Sequence, residues 1–221
     1  MLRYLLVRHA LAESSHPDAP LTAEGRYQAE ALARRFRDCP FRAVWSSDMA
    51  RARETAEVIV AGRDETGLIQ SPALREIEIP GEVMATGVAS ESYASWEREA
   101  VGLLADRLRV WQEEVGAVLS RPSPRPSPSG RGGTVLPLPE GEGRGEGASG
   151  CSFSPTLLVV SHGGPLRVLI CLLLGLPPEM HWSFHLDHAG VTVIERAADM
   201  GTITLLNERC HLEPRAGGVR A

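Results

Sequence analysis

The sequence predicts an α/β fold, a three-layer sandwich in which a mostly parallel central sheet is flanked by helices on both faces. Three observations carry that reading. Short apolar runs alternate with longer segments of helical periodicity, the pattern of strands joined by crossover helices. The run "TLLVVS" (Thr156 to Ser161) is apolar and rich in β-branched residues without alternation, as suits a strand covered on both faces. A length of 221 residues suffices for one domain with a well-buried core.

The elements follow in order. Tyr4 to Val7 is an apolar strand that stops abruptly at Arg8 and His9. Thr22 then caps a helix whose Ala29, Leu32, Ala33 and Phe36 keep i, i+3, i+4, i+7 spacing. "FRAVWSS" (Phe41 to Ser47) reads as a second strand, followed by a helix with Ala52, Thr55, Ala56 and Ile59 on one face and Gly62 at its close. Leu68 to Gln70 is a third, short strand. From Tyr93 to about Leu119 a long amphipathic helix repeats Trp96, Ala100, Leu103, Leu104, Trp111, Val115 and Val118 at helical spacing. After the Thr156 strand, Gly163, Gly164 and Pro165 open a helix, proline suiting its first turn. Val191 to Glu195 and Thr202 to Leu206 supply two further strands.

The segment from Ser120 to Gly150 departs from this pattern. Pro, Gly, Ser and charged residues dominate it, in near-repeats such as RPSP-RPSP and EGEGRGEG, and it cannot bury enough apolar surface to offset its ordering entropy. We expect a single domain over 1–221 with a low-complexity, disordered insertion at about 120–154.

A formal net charge of −5 provides no electrostatic footprint for nucleic acid or an anionic membrane. Leu166 to Leu176 is the most apolar stretch and falls well short of the roughly 20 residues that span a bilayer. Cys39, Cys151, Cys171 and Cys210 are scattered without CxxC spacing, which points to reduced thiols and a cytoplasmic location rather than a zinc site or a disulfide framework. His181, His185 and His188 stand at i, i+4, i+7, yet no HExxH-type carboxylate accompanies them, so a core or loop role is expected in preference to a metal site.

Three strand-to-helix junctions carry unusual polar residues: Arg8-His9, Arg51 and His162. In an open parallel sheet such junctions converge in the crevice beyond the strands' carboxyl ends. Two arginines there suit bidentate binding of a tetrahedral oxyanion, and helix N-termini with bare glycine backbone add N–H donors. A neutral imidazole near pH 7 is a competent nucleophile toward phosphorus.

Together and in this order, "LLVRHA", "LTAEGRYQAEALA", "VWSSDMARARETAEVI", "ALREIEIPG" and "LLVVSHGGPLRVLI" resemble the histidine phosphatase superfamily, over nearly the whole chain apart from the insert. The resemblance implies that His9 is the phosphorylated nucleophile, that Arg8, Arg51 and His162 form the phosphate pocket with the backbone near Gly163, and that Glu76 is the proton donor, with Glu78 and Glu82 as rivals. It also implies a metal-independent phosphatase that hydrolyses a phosphate monoester through a phosphohistidine intermediate and needs no cofactor. The partner is then a small phosphorylated substrate, with no nucleic acid and no membrane; the oligomeric state stays open. Phosphoglycerate mutase-type phosphotransfer and a non-catalytic phospho-ligand-binding module are the alternatives. Where the family has glycine after Arg-His this chain has Ala10, whose methyl group is expected to tighten the pocket, and "LAESSH" does not match the family's polar residues in that loop.

Overall fold

A computed structural model describes residues 1–63, 67–121, 154–198 and 200–213. The elements in chain order are β1 (Leu2–Arg8), α1 (Ala23–Arg35), β2 (Ala43–Ser46), α2 (Ala50–Val60), β3 (Leu68–Gln70), α3 (Gly81–Ala85), α4 (Glu91–Leu119), β4 (Thr156–Ser161), α5 (Gly163–Leu174), β5 (Val191–Ala197) and β6 (Met200–Glu208). The strands form one sheet in the order β3-β2-β4-β1-β5-β6. The pairs β3/β2, β2/β4 and β4/β1 are parallel, whereas β5 runs antiparallel to β1 and β6 antiparallel to β5. The pairing of β6 with β5 has a simple cause: Ala197 pairs with Met200, and so short a connection permits only a hairpin.

Alternation along the strands divides the core. Tyr4, Leu6, Trp45, Leu157 and Val159 face α4 and α5, packing on Leu104, Leu108, Trp111 and Leu169. Leu5, Val7, Val44, Leu158 and Val160 face α1 and α2, packing on Leu32, Phe36, Ala52, Ala56 and Ile59. Every residue of β4 is buried, which explains its unbroken apolar run. Helices on both faces of a mostly parallel sheet are the three layers the sequence predicts.

Local signals place the helix ends. The Thr22 hydroxyl accepts from Gly25 N at 2.9 Å and caps α1. Gly62, at φ +76°, lies just beyond α2, and Gly175, at φ +70°, ends α5 in the left-handed conformation that glycine adopts without strain. The long helix begins at Glu91, capped by Ser90, two residues before the sequence pattern places it. Its buried stripe is Tyr93, Val101, Leu104, Ala105, Leu108, Trp111 and Val115. Of the residues the periodicity assigned to that stripe, Leu103 is exposed, and Trp96 and Ala100 line a cavity instead of the core. The short α3 has no counterpart in the sequence reading. The proposed insertion falls almost wholly on 122–153, outside the described residues. Among the described residues no helix is long and apolar enough to cross a membrane.

Candidate active site

Sheet register brings the polar junctions together. Arg8 pairs with Ser161, so the residues that follow β1 and β4, His9 and His162, emerge side by side, with His9 N donating to Ser161 O at 2.8 Å. On the other side of β4, Ser47 N donates to Val160 O at 3.0 Å, which starts α2 at the same edge and projects Arg51 inward. His9, Arg51 and His162 are all buried. A charged guanidinium and two imidazoles at the end of a buried sheet are costly unless they are paired or serve a ligand.

The hydrogen bonds fix the state of the His9 ring. The Ala10 carbonyl accepts from His9 Nδ1 at 2.8 Å, so the proton sits on Nδ1 and the lone pair on Nε2. Arg51 Nε donates to that Nε2 at 3.2 Å, while its Nη1 donates to the Ser15 and His16 carbonyls. Thus "LAESSH" reaches the site through backbone oxygens that hold Arg51, not through its side chains. The Ser47 hydroxyl accepts from Met49 N and shares a 2.9 Å hydrogen bond with His162 Nε2. His162 Nδ1 is buried and has no partner among the described residues, and the same holds for Arg8 Nε. Arg8 is oriented from its far end, where Nη1 donates to Leu186 O at 2.7 Å. Arg8 Nε–H is therefore a buried donor without a partner among the described residues, and such a donor costs about 1–3 kcal/mol unless something accepts from it.

Glu76 completes the cluster. It follows a 3-10 turn (Pro72–Leu74) after β3, and the Ser161 hydroxyl pins that turn by donating to Leu74 O at 2.6 Å. The Glu76 carboxylate accepts from Ile77 N at 3.1 Å and from Gly164 N at 3.3 Å. It rests on the N-terminus of α5. Gly163 lies between Arg8 and Glu76, and a side-chain carbon on Gly164 would collide with the Glu76 carboxylate. Glu78 is exposed, and Glu82 lies exposed in α3.

Burial holds the imidazoles neutral. It pushes His9 down to about 3 and His162 to about 2, with neighbouring arginines acting in the same direction. An unfolded chain takes up these protons below about pH 6.5 while the fold refuses them, so stability falls as pH drops from 6.5 toward the folded values. Each histidine contributes at most about 1.4 kcal/mol per pH unit over that range. Denaturant unfolding at pH 7 and pH 5 is expected to show lower stability at pH 5, with a shallower drop in His162→Asn. Equal pH dependence of the two proteins would contradict the assignment.

One further residue joins the cluster. His188 lies in the loop before β5, in line with the expected core or loop role, and its ring is 5.1 Å from that of His9, against 5.0 Å for His162, while burial depresses it to about 4. Because β5 is antiparallel to β1, the loop that enters β5 arrives at the edge where β1 ends, and Ala189 N donates there to Arg8 O and His9 O. The other two histidines diverge. His181 is buried, and His185 is exposed beside Asp187. Ala10 also departs from expectation. Its methyl packs with Leu21 and Ala29, its N–H donates to Thr55 Oγ1, and its φ is not positive, so the alanine fills an apolar niche away from the cluster.

Comparison with known proteins gives this cluster its context. An adenosylcobalamin/alpha-ribazole phosphatase of Salmonella typhi is 29% identical over 228 residues, covering 96% of this chain and all of that protein. A protein of Escherichia fergusonii named "Probable phosphoglycerate mutase GpmB" is 31% identical over 209 residues, covering 88% of this chain and 85% of its own length. The crystal structure of the alpha-ribazole phosphatase from Shigella flexneri superposes with a TM-score of 0.66 at 22% identity over 94% of this chain and 96% of that one, a similarity of fold. Residues 4–123 and 151–209 match the histidine phosphatase superfamily (branch 1), and the chain belongs to that family.

Proposed function

We propose that the chain hydrolyses a small phosphate monoester through a phosphohistidine on His9 Nε2. The observation that carries the reading is the pairing of His9: a carbonyl accepts from its Nδ1–H, and its Nε2 lone pair meets the Arg51 guanidinium in a cluster that also holds the unpaired, buried Arg8 Nε–H. Family membership and the alpha-ribazole phosphatase relative support hydrolysis.

Arg8, Arg51 and His162 hold the nonbridging oxygens, with the backbone near Gly163, and balance charge that spreads over them in the transition state. His188, also neutral, is placed to join them. In the first step the Nε2–P bond forms as the ester P–O bond breaks, and the departing oxygen takes the proton of Glu76. The Ala10 carbonyl steadies the imidazolium through Nδ1–H. In the second step Glu76, now ionised, takes a proton from water as its oxygen attacks phosphorus. The P–N bond breaks, phosphate leaves, and both groups return to their starting states. No step needs a metal or a cofactor. Chain 1–221 as one domain interrupted at about 120–154, and a cytoplasmic location, belong to the same proposal.

The mutase-named relative favours a second reading, phosphotransfer, in which the phosphohistidine is spared from water. A panel of phosphate monoesters in the presence of a chelator distinguishes the two. The expected result is steady release of inorganic phosphate. Phosphoenzyme that transfers its phosphate to a phosphoglycerate acceptor without releasing it to water would favour the mutase.

A further inference from the structure

A cavity of about 290 Å³ opens directly beside the catalytic cluster, with Arg8, Glu76, Gly163 and Gly164 in one wall. Its other walls carry Tyr93, Trp96 and Trp182. We infer that this cavity receives the alcohol half of the substrate and selects one that bears a flat aromatic group. The inference rests on the phosphatase reading for the phosphate half alone.

Three observations point to an aromatic occupant. First, Trp182 is 58% exposed and yet held in place, so its position serves little core packing. The Arg167 guanidinium lies 4.7 Å from its ring centre, and its indole N–H donates to Glu97 Oε1 at 2.5 Å. Such clamping lowers the ordering cost of ligand binding. Second, Trp96 and Ala100 fit the apolar periodicity of α4 but face the cavity, and Trp96 stands 5.6 Å from the ring of Tyr93. Tryptophan and tyrosine from two separate segments thus present ring surface to one small space. Third, the titratable groups on the walls away from the phosphate cluster are Glu97, Arg167 and His181, with Glu97 bonded to the Trp182 indole and 3.8 Å from His181 Nε2, and Arg167 stacked on the Trp182 ring. A neutral ring meets apolar surface and aromatic neighbours, which favour offset or edge-to-face contacts.

Unreactive phosphonates separate binding from turnover. Calorimetric titration of the full chain is expected to show 2-phenylethylphosphonate binding about 10-fold or more tightly than ethylphosphonate, and about 3-fold more tightly than 2-cyclohexylethylphosphonate, whose ring is saturated. Trp182→Ala should reduce the preference for phenyl over ethyl to a few fold, and Trp182→Phe should restore much of it. Equal affinity of the wild type for the phenyl and ethyl compounds would overturn the inference, and that comparison needs no variant. Preferential binding of the phenyl compound, with no hydrolysis of 2-phenylethyl phosphate, would support the pocket and count against the phosphatase reading.

Discussion

Replacement of His9 by alanine is expected to lower kcat/KM by about 10⁴-fold or more, because no other side chain can take over bond formation to phosphorus. His162 and His188 are the nearest substitutes, with ring centres 5.0 and 5.1 Å from His9. Neither has the arrangement that prepares His9, in which the Ala10 carbonyl holds Nδ1–H and the Nε2 lone pair is turned toward the Arg51 guanidinium. In His162, Nε2 is engaged with Ser47. The loss should persist from pH 5 to 8, where burial keeps the wild-type His9 neutral and no protonation of the nucleophile intervenes. Steady-state kinetics on one ester at several pH values checks this. Activity within 10-fold of wild type would remove His9 from the mechanism.

The second large effect belongs to Glu76, and its size depends on the leaving group. An alkoxide needs a proton as it departs, whereas p-nitrophenolate leaves without one. Glu76→Gln is therefore expected to slow phosphoenzyme formation by about 10²-fold or more with an alkyl phosphate and much less with p-nitrophenyl phosphate. Single-turnover measurement is required, since the same carboxylate acts again when water attacks. Gly164→Ala should mimic the defect in milder form, because the added methyl displaces the carboxylate from its seat on α5 while leaving its chemistry intact. Glu78→Gln should leave both substrates nearly unaffected, as Glu78 is exposed. Equal losses on the two esters would show that Glu76 is not the acid.

Much of this site was legible because its residues sit at chain punctuation. Arg8-His9 and His162 interrupt apolar runs, and a β-branched run such as "TLLVVS" suits a strand covered on both faces, so polar residues at its end mark the sheet's carboxyl edge. Arg51 follows from the same logic one strand away. His188 was not legible, because its place depends on strand direction. A residue before a parallel strand lies at the far edge of the sheet, and only the antiparallel run of β5 against β1 brings it next to His9. Trp96 was misread for another reason: periodicity shows that a helix face is apolar but not whether a core or a cavity lies opposite. Trp182 gave no signal at all, since a single aromatic in a 3-10 segment (Pro178–Ser183) has no period to betray it. The shared turn chemistry of Ser47 and Ser161, which orient His162 and the Glu76 segment, is likewise a matter of contacts between residues distant in sequence.

The most direct test of the account is chemical capture of the intermediate. Wild-type protein mixed with a radiolabelled phosphate monoester and quenched within milliseconds should carry label that survives base and is lost in acid, and peptide mapping should place it on His9. Glu76→Gln should accumulate the same labelled species with p-nitrophenyl phosphate, because breakdown by water is slowed. Absence of covalent label during active turnover, or label on any residue other than His9, would contradict the mechanism.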